Sequence, residues 1–192
     1  MSAISILVDL HSRVFAAIER ALDGWFLGLA ARLVFAGVLL FYFWNSVATK
    51  LGTGFPGILI PQDGAYFQIL PPIVEQYGYD VSAIPFFPHG LIVYAGTYAE
   101  LILPLLVTLG LFTRLAALGM IGFIAVQTFV DIVFHGVEAT TIGALFDRLP
   151  DSAISDQRGL WIFVLLYLVV KGAGAVSLDA LLARPFARPR PA

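Results

Sequence analysis

The chain has 192 residues, 59% of them hydrophobic and only 12% charged, with a formal net charge of −2 and a mean hydropathy of +0.90. A soluble domain averages about 25% charged residues, so a water-facing surface is excluded and lipid is the natural solvent. The absence of cysteine excludes disulfides, thiolate metal sites and cysteine-ligated clusters, and an acidic balance with no basic stripe excludes a nucleic-acid partner.

Residues 1–24 lack the basic start, compact apolar run and small-residue site of a cleaved signal peptide, because Asp9, His11 and Arg13 break the first apolar run. Instead Ile4, Val8, His11, Phe15, Ile18 and Leu22 recur at helical spacing, with the charged residues mostly elsewhere. That pattern predicts an amphipathic helix lying on the membrane surface.

Four segments are long and apolar enough to cross a bilayer core about 30 Å thick: residues 25–47, 90–112, 115–134 and 159–178. Only Thr113 and Arg114 separate the second from the third, so these two form a tight antiparallel hairpin. Bare backbone is not tolerated in lipid, so the four helices close on one another. The predicted fold class is therefore all-α: an integral membrane antiparallel four-helix bundle over 25–182. An interfacial amphipathic helix precedes it, and a basic, proline-rich tail over 183–192 follows.

Basic residues set the expected orientation. Arg13, Arg20, Arg114, Lys171, Arg184, Arg188 and Arg190 fall on the side of the termini, against Lys50, Arg148 and Arg158 on the side of the two long loops. Both termini are expected in the cytoplasm and the long loops outside, which in a bacterium means a multi-pass inner-membrane protein.

Ionisable residues within membrane helices are costly and turn inward toward partners. On helical rise, Arg32, Glu100 and Lys171 are expected to share an inner layer. Glu100 is expected to pair with Arg32, with Lys171 as a second partner, either as a packing device or as part of a proton relay or ligand site. Lys171 also has the plainer role of snorkelling to the headgroups. Gly96, Glu100, Pro104 and Thr108, spaced by four, form one small or polar face expected to seat a neighbouring helix.

In "VQTFVDIVFHG", Gln127, Asp131 and His135 also recur every four residues, a polar stripe running toward the outer surface. Asn45, Lys50 and His89 are expected at the same level, among Phe41, Tyr42, Phe43, Trp44, Phe86 and Phe87. An apolar, aromatic wall with a few placed polar groups suits a quinone head group, and a histidine beside an aspartate suits proton exchange with it. The plainer reading makes His135 an end cap in the headgroup layer. Without a short motif such as HxxxH, no metal site is assigned. In the loops, 64–76 is expected to form a short helix broken by Pro71-Pro72, and 139–149 one or two helical turns, with an apolar lid or a surface cover as the two readings of the first loop.

Three stretches then carry a resemblance. "ARLVFAGVLLFYFWNSVATKL", "AELILPLLVTLGLFTRLAALGMIGFIA" and "GAGAVSLDALL" stand in order and resemble the DoxX family of small bacterial four-helix membrane proteins, over about 29–182. The residues that carry it are Arg32, Asn45, Lys50, Glu100, Gly110-Leu111, Thr113-Arg114 and Ser177-Leu178-Asp179. The stretch 172–176 lacks the family's usual proline and basic residue, and the first outer loop is long. The resemblance implies membrane redox work linked to quinone, with no covalently bound cofactor. It leaves open whether the chain is itself an enzyme. The expected function is a quinone-interacting subunit or accessory of a membrane oxidoreductase, depending on a redox partner protein for electrons. The alternative is a non-catalytic scaffold that recruits a partner in oxidative- or metal-stress handling. Self-association is left open.

Overall fold

A computed structural model describes residues 3–184. Four helices in it are long and apolar enough to cross a membrane: Phe26–Ala48, Phe86–Leu109, Thr113–Phe134 and Ala153–Lys171, here spans one to four. They pack as a ring in which each span touches the next and span four closes on span one. The core holds Phe35, Leu39 and Phe43 of span one, Val107 of span two, Met120 and Ile124 of span three, and Leu165 and Leu168 of span four. Large apolar side chains such as Leu33, Leu115 and Phe163 point outward, as required where the solvent is lipid.

Glycines set the span ends. Span two stops at Gly110, whose φ of 71° takes the left-handed conformation that closes a helix. Span four ends at Lys171, seven residues short of the expected 178, because Gly172 and Gly174 both adopt φ of 79° and turn the chain. Spans one, three and four also contain a wide π-type turn, at 36–40, 130–134 and 153–158, whereas span two starts across a kink at Phe87, whose φ of −103° and ψ of 126° are not helical. One extra residue in such a turn rotates the side chains beyond it and often marks a functional position.

At the end that carries the termini, the separate stretches of the family resemblance meet. The Asp179 carboxylate accepts hydrogen bonds from the backbone N–H of Phe112 (2.7 Å) and Thr113 (2.9 Å), capping span three. Ser177 Oγ accepts from Ala180 N at 3.1 Å and starts the short helix Leu178–Ala183. Asp179→Ala is expected to cost about 1–2 kcal/mol, read as a lower melting temperature in detergent with unchanged helix content.

The N-terminal segment forms the helix Ala3–Leu22. Ile4, Leu7, Val8, Phe15 and Ile18 are all exposed, so the bundle does not cover its apolar face. An Arg13–Asp9 pair at 2.9 Å lies on its polar side. Of the tail expected over 183–192, residues from 185 on lie outside the described residues.

The first long loop folds back through a backbone pairing of Leu51 with Pro61. It then forms two helices, Asp63–Ile69 and Pro71–Gln76. The two prolines thus start a second helix as well as ending the first: Pro71 sits at a first helical position, where its missing N–H costs nothing. The second loop holds a single helical turn, Ala139–Ile142.

Candidate functional site

Polar residues of three spans and one loop helix meet around one cavity of about 630 Å³. Its apolar walls come from span two (Ile92, Ala95, Gly96, Ala99, Leu103) and span three (Gly119, Gly122, Phe123, Val126). Gln68 and Ile69 of the loop helix Asp63–Ile69 form its outer roof, and Ser46 and Lys50 of span one its third side. Small residues line it: Gly119 admits the Leu103 side chain of span two to 3.2 Å from where a Cβ would stand, while Gly122 meets nothing within 4 Å and leaves open space. Ile92, Ala95, Gly122 and Val126 line the cavity and are also exposed on the bundle's outside, so the cavity opens sideways between spans two and three within the apolar belt.

Two ion pairs frame it. Glu100, buried in mid-span, pairs with Lys50, whose ammonium also donates to Ser46 Oγ at 2.8 Å. Asp131 pairs with Arg158, which also donates to Thr128 Oγ1 at 2.7 Å. The second pair joins the π-type turns of spans three and four.

The expected pairing of Glu100 with Arg32 and Lys171 is thereby corrected. Arg32 is buried at the other end of the bundle, donating to Thr108 O at 3.1 Å and to Val176 O, with Asp179 as the carboxylate that faces it. Carbonyls at a helix C-terminus have no intrahelical partner and lie at the negative end of the dipole, so they hold a guanidinium without any carboxylate in contact. Thr108 lies eight residues beyond Glu100, about 12 Å along the helix. Lys171 is exposed, because the glycines end span four at that residue. Lys50 won the place by reach: it lies two residues past span one, and its apolar stem runs inward along the bundle.

The stripe of span three reaches the cavity: Gln127, Asp131 and His135 all line it, as does Lys50. Gln127 donates to the Tyr42 hydroxyl at 3.2 Å, and its Oε1 is buried with no partner among the described residues. His135 Nε2 lies 3.2 Å from Gln68 O, so Nε2 carries the proton and Nδ1 is the free acceptor. Asn45 and His89 do not line the cavity. Asn45 is exposed on the flank of span one, one residue off the face that carries Ser46, and His89 is half-buried just after the kink at Phe87 that starts span two. The seam at Gly96 seats Ile69 of the loop helix, 3.2 Å from where a Cβ would stand, rather than a membrane-spanning neighbour. Among the described residues no group of three His, Asp or Glu is placed to hold a metal ion.

Arg158 was missed by sequence reasoning as a partner of Asp131. Its signal was present: it is the basic residue next to the fourth apolar run, at the level of the aspartate.

A four-span bundle with a charged cavity opening into its apolar belt defines a class of small integral membrane proteins with one ligand-sized internal site. The DoxX family model matches residues 27–136, more than half the chain, and the protein belongs to the DoxX family. No curated protein and no solved structure matches it.

Proposed function

We propose that this DoxX protein binds a quinone in the cavity between spans two and three, as a subunit or accessory of a membrane oxidoreductase in the bacterial inner membrane, with both termini cytoplasmic. The observation that carries this reading is the sideways opening: a ligand dissolved in the bilayer reaches ionised and hydrogen-bonding groups without crossing water. The volume falls within the roughly 300–1,000 Å³ of small-molecule sites.

The groups present fit both redox forms of such a ligand. The Lys50 ammonium is a donor for a quinone oxygen, and the orphaned Gln127 Oε1 and the Glu100 carboxylate are acceptors for a quinol hydroxyl. A bound quinone supplies two-electron, two-proton chemistry. The protein holds the ring between apolar helix walls and keeps water out with the roof at Gln68 and Ile69. Glu100 holds a proton-accepting oxygen at the inner end, and His135 Nδ1 offers an acceptor toward the outer surface. Electrons come from a partner protein.

One specific observation favours a scaffold as the second reading. Phe55 (84% exposed), Phe87 (77%) and Tyr79 (65%) stand out from the loop end, a surface suited to a partner.

Gly122→Trp separates the two. Gly122 lines the cavity and nothing lies within 4 Å of a Cβ there, so a bulky side chain starts from open space. Mass spectrometry of the gently extracted wild type is expected to find quinone at up to one per chain, falling at least about tenfold in Gly122→Trp at an unchanged melting temperature. Equal quinone in both, or none in the wild type together with a cross-linked partner at the loop end, rejects the quinone reading in favour of the scaffold.

A further inference from the structure

A second cavity, of about 500 Å³, lies at the end of the bundle that carries the termini, between the N-terminal helix and the ends of spans one and four. Gly24, Gly28, Gly172 and Gly174 make part of its wall backbone. Gly24 and Gly174 both adopt positive φ, the Ala175 N–H donates to Gly24 O at 2.8 Å, and a Cβ at Gly174 would stand 3.1 Å from Trp25 O. Such walls cannot collapse by side-chain rotation. Trp25 and Tyr167 flank the space, the residue types that settle at headgroup depth.

The charges in it are mixed and unspent. Glu19 and Asp23 line one side, and Lys171 the other, yet among the described residues neither carboxylate forms an ion pair with Lys171. Arg114 adds a second cation next to the lining residue Gly172, its Nε 3.4 Å from where a Cβ on that glycine would stand. Carboxylates and cations thus share one cavity without pairing directly among the described residues. An anionic lipid would satisfy the cations and be repelled by the carboxylates. A molecule with a phosphate at one end and an ammonium a few ångströms away satisfies both.

We propose that this cavity is a binding site for the headgroup of a zwitterionic phospholipid with a primary ammonium. Its phosphate lies against Lys171 and Arg114, and its ammonium donates to Glu19 and Asp23 in charge-assisted hydrogen bonds. A quaternary ammonium has no N–H to donate and binds less well. The site is separate from the cavity between spans two and three, and does not depend on what binds there.

The test incubates the detergent-purified full chain with equimolar dioleoyl phosphatidylethanolamine, phosphatidylcholine and phosphatidylglycerol, then counts retained lipid per chain by mass spectrometry. About one phosphatidylethanolamine is expected to remain, at least about fivefold over each competitor. In Glu19→Gln/Asp23→Asn, whose positions are exposed, the preference is expected to shift to phosphatidylglycerol, and Lys171→Gln is expected to weaken retention of both. A wild type that prefers phosphatidylglycerol or shows no preference, or a preference unchanged in the double variant, overturns the proposal.

Discussion

Replacing Lys50 with methionine is expected to cost about 3–5 kcal/mol of stability, the largest effect of any single substitution considered. Glu100 is 2% exposed, and the lysine is its only ion-pair partner among the described residues. Removing the ammonium strands a carboxylate in a low-dielectric interior. The double variant Lys50→Met/Glu100→Gln is expected to recover most of the loss, because a neutral amide beside a thioether has no charge to desolvate. Melting temperatures of the wild type, both single variants and the double variant form a thermodynamic cycle. Single costs that simply add would show that the two side chains do not act as a pair. Arg32→Met in place of Lys50→Met is expected to show no coupling to Glu100→Gln, since Arg32 donates to Thr108 O at the far end of span two and to Val176 O in the turn after span four.

The second large effect is steric. A Cβ at Gly28 would lie 2.6 Å from both the carbonyl carbon and oxygen of Ala173, so Gly28→Ala forces span one away from the glycine turn after span four. Backbone has nowhere to rotate, and the expected cost is about 1–3 kcal/mol. Gly37→Ala, also in span one, meets nothing within 4 Å and is expected to be neutral or slightly stabilising. Equal melting temperatures for the two variants would mean that the contact at Ala173 is not tight.

The bundle was legible in the sequence because hydropathy and length together leave few choices once lipid is the solvent. Span ends were less so. The apolar run after residue 159 continues smoothly to 178, and only the left-handed turns at Gly172 and Gly174 stop the helix early. Partner choice was the least legible. Helical rise set Arg32 and Glu100 in one inner layer, whereas Arg32 meets Thr108 O, about 12 Å along the helix from Glu100. Lys50 was counted with the outer polar group because its Cα lies past the span, whereas its ammonium sits well inside.

The four-residue spacing of Gln127, Asp131 and His135 did carry information, since all three line one cavity. It did not reveal that Asp131 is already engaged by Arg158, a contact that depends on two π-type turns with no clear sequence signature. Asn45 and His89 fell out of the cavity because helical rise gives level along the membrane normal and not direction. The small residues that open the cavity were visible as glycines and alanines, but small residues in membrane helices ordinarily bring helices together. Here Gly122 and Ala95 leave a gap between spans two and three.

The most direct measurement is photolabelling in native membranes with a short-tailed azidoquinone, followed by peptide mapping. Label is predicted within 95–103 and 119–127, and is predicted to fall when unlabelled quinone is added in excess. Label spread evenly over lipid-facing positions such as Leu33, Leu115 and Phe163, and insensitive to the competitor, would contradict a quinone site between spans two and three.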